Sequence, residues 1–164
     1  PSESVPPALA FVAMHDAAVN RLTTPVRCPQ SGQPELKHAA VRIEAVTLPW
    51  QLEAAAWRPA GEVLALAQRL RPEAEALAYG HVQPIGREPE GPLGLALRLA
   101  HGTPCDAEPW AQALGLHGAG VLRYDDARRG VQRLVAVDGR GKLTGFLLVG
   151  DTAAAGWLRD WLLR

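Results

Sequence analysis

Cysteine and lysine are scarce in this chain of 164 residues. Two cysteines, Cys28 and Cys105, stand far apart in the sequence. They cannot supply the four thiolates of an iron–sulfur cluster, and no C-x-x-C pair points to a zinc site or a redox dithiol. A Cys28–Cys105 disulfide is formally open. A chain of this size buries enough apolar surface to need no staple, so two free thiols in a cytoplasmic protein are the expectation. Lysine occurs only at Lys37 and Lys142, and arginine supplies the rest of the 17 basic residues. With abundant Ala, Leu, Gly and Pro, this is the composition that GC-rich bacterial genomes produce. An excess of charge is lacking as well. The 17 basic residues are matched by 17 acidic ones, which leaves no electrostatic footprint for nucleic acid or an anionic membrane. No apolar run approaches the roughly 18 residues of a membrane-spanning helix. The opening Pro-Ser-Glu-Ser-Val-Pro-Pro has neither the basic region nor the apolar stretch of a signal peptide. It also lacks an initiator methionine, which suggests a fragment or a processed product.

What is present is ordinary for a folded protein: 48% hydrophobic and 21% charged residues, enough for one domain or two small ones. Ala8 to Met14 has the length of an apolar strand. Residues 25–36, with Pro25, Pro29, Gly32 and Pro34, form a loop. Val41, Ile43 and Ala45 can share one face of a strand over 38–46. Residues 47–60 carry Pro49, Trp50, Trp57 and Pro59 and are expected as a linker. Gly61 to Leu70 reads as an amphipathic helix with Val63, Leu64, Leu66 and Leu70 on its apolar side. Ala78 to Ile85 reads as a strand, and so does the strict alternation Leu93, Leu95, Leu97, Leu99. Trp110 to Leu114 suits a short helix. Val131–Val137 and Lys142–Val149 flank Asp138-Gly139, a strong hairpin signal. Asp151 or Thr152 is the expected cap of a terminal helix, Ala153 to Leu163, with Trp157, Leu158 and Trp161 on one side.

Several constellations have plain structural readings. Gly115-Leu116-His117-Gly118-Ala119-Gly120 is glycine-rich, but a phosphate loop needs a strand before it and a helix after it. Here the order is reversed, so it is a connector. Asp125-Asp126 is followed by Arg128-Arg129 and reads as a charge-balanced turn rather than an acid–base pair. His81, His101 and His117 have no metal-ligand spacing. The five tryptophans read as core or docking residues, Trp157 and Trp161 lying one helical turn apart.

The most informative stretch runs from Asn20 to Lys37. From the residues alone it is a polar loop between two strands. An amide at one end and an ammonium at the other offer donors to a large polar anion. The wording is richer than that. An apolar strand ends in Met14-His15. Asn20-Arg21-Leu22-Thr23 follows, then Pro29-Gln30-Ser31-Gly32-Gln33-Pro34-Glu35-Leu36-Lys37 and Ala40-Val41-Arg42-Ile43-Glu44. This order resembles the C-terminal dinucleotide-binding segment of the molybdopterin oxidoreductases, above all the assimilatory nitrate reductases. The resemblance covers residues 10–44, about a fifth of the chain. It implies that Asn20 and Lys37 contact a molybdopterin guanine dinucleotide. It also implies that Met14 and His15 lie nearest the pterin. From the residues alone, His15 reads rather as a strand-end histidine bonded to backbone. The stretch Asp16 to Val19 is shorter than in most assimilatory relatives.

A second resemblance lies further on. Arg133 to Arg140, with Leu143 to Asp151, is similar to the small C-terminal module of flavin-dependent nitrite reductases and NADH-rubredoxin reductases. Assimilatory nitrate reductases carry a similar module after the pterin domain. The two resemblances together imply an α+β chain. Residues 1–46 would be the end of a β-barrel-type dinucleotide-binding domain, 47–60 a linker, and 61–164 a small α+β module. They imply the C-terminal part of a cytoplasmic, molybdenum-dependent nitrate reductase for nitrate assimilation. Its metal would be held by two pterin dinucleotides, and its [4Fe–4S] cluster would lie outside these residues. The implied partners are the rest of the reductase chain and an electron-donor protein, with no nucleic acid or membrane. No catalytic residue or metal ligand is expected here, so the isolated chain should be inactive. A formate dehydrogenase shares the Asn-to-Lys loop, and a free-standing adaptor domain is the reading from a different class.

Overall fold

Alternation of small and large apolar residues decides the architecture. The computed structural model describes residues 26–34, 42, 44–86 and 92–164. The chain divides into two compact units, Pro1–Val46 and Thr47–Arg164.

In the first unit the described residues center on a tight turn. Arg27 and Pro34 form an isolated antiparallel bridge. The Cys28 N–H donates to the Gln33 carbonyl at 2.9 Å, and the Gly32 N–H to the Cys28 carbonyl at 2.8 Å. Gly32 has φ +68°, a conformation that glycine reaches without strain. The ordered loop expected at 25–36 is thus a closed turn at its tip. Arg42 and residues 44–46 lie in no strand. The rest of the strand expected over 38–46, and that expected over 8–14, fall outside the described residues.

The second unit is an α+β sheet protein. Its order is β1 (Trp50–Arg58), α1 (Ala60–Glu75), β2 (Tyr79–Gly86), β3 (Leu93–His101), α2 (Glu108–Ala113), β4 (Val121–Asp126), β5 (Val131–Val137), β6 (Leu143–Val149) and α3 (Ala155–Leu162). The six strands form one open sheet in the order β2-β3-β1-β6-β5-β4, every pair antiparallel. This corrects the linker expected at 47–60. Residues 50–58 are an inner strand of the sheet, paired to β3 on one side and β6 on the other. Pro49 and Pro59 are its boundaries and not signs of an open segment. Its run Ala54-Ala55-Ala56 is buried on both faces. Alanine has little intrinsic strand preference, and here burial overrides it.

Period two sorts the side chains between two cores. Leu52, Ala54, Leu95, Leu97, Leu99, Leu134 and Leu147 meet Val63, Leu66 and Leu70 of α1 and Trp110 of α2 on one face. Ala55, Phe146 and Leu148 meet Ala155, Leu158 and Leu162 of α3 on the other. Two glycines permit close approach. A Cβ on Gly80 would lie 2.0 Å from the Ala74 carbonyl oxygen, where α1 ends against β2. One on Gly145 would lie 2.7 Å from the Ala56 Cβ, between β6 and β1.

Four local readings change. α1 runs through Pro72 to Glu75. Pro72 removes one hydrogen bond to the carbonyl of Gln68, an exposed residue whose carbonyl water can satisfy. Leu64 is exposed, and the buried stripe is Val63, Leu66, Ala67, Leu70 and Ala74. The N-cap of α3 is Ala154, with no side-chain cap. Asp151 instead accepts from the Ala153 N–H at 3.2 Å, one turn earlier, and pairs with Arg133 at 2.6 Å. On α3, Leu158 is buried while Trp157 and Trp161 face outward, their ring centroids 5.3 Å apart.

Candidate functional site

Asn20, Lys37, Met14 and His15, the residues singled out for cofactor contact, all lie outside the described residues. What is described of that loop is its tip. There the Cys28 thiol is held below its ordinary pKa, first by the Ser31 hydroxyl, then by the backbone N–H groups of Ser31 and Gln30. Each of these favors the thiolate by donating to sulfur. As a thiol, Cys28 Sγ donates to Gln30 Oε1 at 3.8 Å. The Ser31 hydroxyl also accepts from the Gln33 N–H at 3.3 Å. The turn is therefore internally bonded, and the two limbs of the Asn20-to-Lys37 loop run side by side where Arg27 bridges Pro34. Cys28 and Cys105 are both free thiols.

Polar groups in the second unit are mostly spent on structure. Arg123 on β4 donates through Nε to Asp125 at 2.7 Å and through an Nη to Glu108 of α2 at 3.0 Å. Gln132 on β5 donates to the other Asp125 oxygen at 2.9 Å. The Arg123 hydrogen bond holds the Asp125 carboxyl below the usual carboxylate range, and Asp125 in turn raises the Arg123 guanidinium. All of this is exposed, so the gain is small, about 0.2–1 kcal/mol for such a pair. Asp126 turns away and accepts from the N–H groups of Arg128 and Arg129 at 3.1 and 3.2 Å. The two adjacent carboxylates thus have separate structural duties, as a charge-balanced turn requires.

The glycine-rich segment 115–120 joins α2 to β4. Gly115, Gly118 and Gly120 all have positive φ, and the order is helix, loop, strand, so it is a connector. Its one unforeseen neighbor is Arg58. That guanidinium sits where a Cβ on Gly115 would come within 2.4 Å of an Nη, and it pairs with Glu62 at 3.1 Å. Its Nε is buried without a partner. The i,i+4 spacing of Arg58 and Glu62 was the only sign of this in the sequence. His101 Nδ1 accepts from the Ala78 N–H at 3.1 Å, a structural bond that fastens the α1–β2 connection to the end of β3.

Among the described residues no three His, Cys, Asp or Glu side chains are grouped to hold a metal ion. No described helix is long and apolar enough to cross a membrane. What the described residues offer is positioning, hydrogen bonding and an exposed aromatic pair. No family, no curated protein and no solved structure matches the chain.

Proposed function

We propose that the chain is the C-terminal part of a molybdenum-dependent nitrate reductase of the assimilatory, cytoplasmic type. Residues 1–46 would then complete a β-barrel-type domain that binds molybdopterin guanine dinucleotide. The observation that carries this is the residue order from Met14-His15 through Asn20-x-Leu-Thr to Lys37 and Glu44. Two structural facts are in keeping with it. The loop tip closes on itself at Arg27 and Pro34, and the chain passes into a second compact unit at Thr47.

The donor set suits the cofactor chemically. Asn20 offers donor and acceptor together, as a pterin edge requires, and Lys37 offers a point charge with three donors to a pyrophosphate. Met14 and His15 would line the pterin side. When bound, the group supplies the redox chemistry at its metal. This chain positions it and compensates its charge. The [4Fe–4S] cluster and the residues facing molybdenum belong to the rest of the parent chain, so the isolated chain should not reduce nitrate with a reduced dye.

The test uses the full-length parent. Lys37→Ala removes one charge-assisted contact, about 1.5–3 kcal/mol, or on the order of tenfold to a hundredfold in affinity. Lys37→Arg should restore it incompletely, because a planar fork replaces a point donor. Lys142→Ala, in the β5–β6 turn, is the control. Molybdenum and pterin content per protein should fall for Lys37→Ala and Asn20→Ala and stay level for the control. Full cofactor content in a folded Lys37→Ala protein would remove Lys37 from the site.

The outward tryptophans of α3 favor a second reading, a free-standing adaptor that binds through that helix. The upstream coding sequence separates the two. A C-x-x-C-x-x-x-C element several hundred residues before Pro1 supports the reductase, and a start codon just before it supports the adaptor.

A further inference from the structure

β4 is an edge of the sheet, and among the described residues nothing pairs with its outer side. Two hydrogen bonds set the direction of its backbone. The Val137 N–H of β5 donates to the Gly120 carbonyl at 3.2 Å, whereas the Val121 N–H turns back to Gly118 at 3.4 Å. In an antiparallel ladder, alternate residues turn their N–H and C=O the same way. Leu122 and Tyr124 therefore bond to β5, and Arg123 and Asp125 present their backbone groups outward. Leu122 and Tyr124 also expose 68% and 53% of their surface on one face. Arg123 and Asp125 share the other, bonded to each other.

Charges on an edge strand ordinarily guard it against pairing with another edge. On β4 one register turns the guard into an attraction. An antiparallel pair of two β4 strands about a two-fold axis at Arg123 sets guanidinium against guanidinium. An axis at Asp125 sets carboxylate against carboxylate. Both are unfavorable for directly opposed residues. An axis at Tyr124 sets each Arg123 opposite an Asp125 of the second copy, twice over, with Tyr124 against Tyr124 on the other face. It also makes both Arg123–Asp125 positions hydrogen-bonded pairs, so four backbone bonds form. We propose that the outer edge of β4 pairs with the same edge of a second copy of this chain, in the register centered on Tyr124.

The strand is short, so the contact is smaller than the roughly 1,600 Å² of a standard interface, and the dimer is weak and concentration-dependent. It is independent of the reductase reading. Sedimentation velocity of the 164-residue chain over roughly a hundredfold range of concentration should show the mass climbing from monomer towards dimer. Arg123→Asp and Asp125→Arg should each weaken self-association by about tenfold or more. An equimolar mixture of the two variants should recover it. The first variant carries carboxylates at both positions and the second guanidiniums at both, which match in this register alone. Circular dichroism confirms that each variant is folded. A second route does not depend on them. In a Cys28→Ser background, Tyr124→Cys should oxidize to a disulfide-linked dimer, since residues on the axis face each other at about 4.5 Å between Cα atoms. Leu122→Cys should not, since its two copies lie about 14 Å apart along the strands. A chain that stays monomeric throughout overturns the proposal. So does association that survives both charge reversals, a variant mixture that stays monomeric, or association abolished by Trp157→Ala with Trp161→Ala.

Discussion

The Ser31 hydroxyl and the backbone N–H groups of Gln30 and Ser31 favor the Cys28 thiolate, and this distinguishes the two thiols of the chain. Cys28 is exposed and its thiolate is favored, while Cys105 is half-buried and donates to the Thr103 carbonyl at 3.4 Å. Cys28 should therefore react first with a thiol reagent at neutral pH. Because its pKa is lowered, its rate should level off at a lower pH than that of an ordinary thiol, near 8.5. Stopped-flow labeling of the Cys28→Ser and Cys105→Ser variants measures this, and Ser31→Ala should move the Cys28 profile upward. Gly80 is the second residue whose identity is dictated by a neighbor. Gly80→Ala would drive a methyl group into the Ala74 carbonyl, so either α1 or β2 must shift. A loss of about 1–3 kcal/mol in denaturant unfolding is expected, against little change for Gly139→Ala, whose added Cβ meets nothing within 4 Å.

At the level of elements, legibility followed the strength of the local pattern. The leucines of β3 alternate without a break, and the β5–β6 hairpin has Asp138 at its turn. Asp138 accepts from the N–H groups of Arg140 and Lys142 at 2.8 and 2.9 Å. Both elements were readable for these reasons. β1 was not, because its middle is three alanines and two prolines bracket it. Neither feature carries a strand signal, and only its pairing with β3 and β6 makes it one. The faces of α3 were misassigned for a related reason. Trp157 and Trp161 are its largest side chains, but the sheet beneath it accepts the narrower stripe Ala155, Leu158 and Leu162. The candidate cofactor residues were read from residue order alone, and nothing in periodicity would have found them. One prediction follows from the change at β1. Limited proteolysis should spare residues 50–58, where a linker would have been cut early, and Leu52→Ala should cost about 2–5 kcal/mol as a fully buried core truncation. Early cleavage within that span in the native protein would contradict the central placement of β1.

For the whole molecule, both described apolar cores lie within residues 47–164. A protein cut at Thr47 should therefore fold alone, with a single cooperative thermal transition and the near-ultraviolet dichroism of packed tryptophans. A transition spread over a wide temperature range would show that the unit needs residues outside it. The sheet order has a further consequence during synthesis. β1 is the first strand of this unit to leave the ribosome, yet it ends in the middle of the sheet. Its partner β6 is the last strand of the unit to be made, and Leu52 waits for Val149 until nearly all of the unit has been synthesized. Pairings this distant in sequence form late and leave apolar strands waiting. A nascent strand rich in valine or isoleucine would seed association with neighboring chains on the polysome. The alanines at 54–56 make β1 a poor seed, and they still fill the narrow space between two helical layers once β6 arrives.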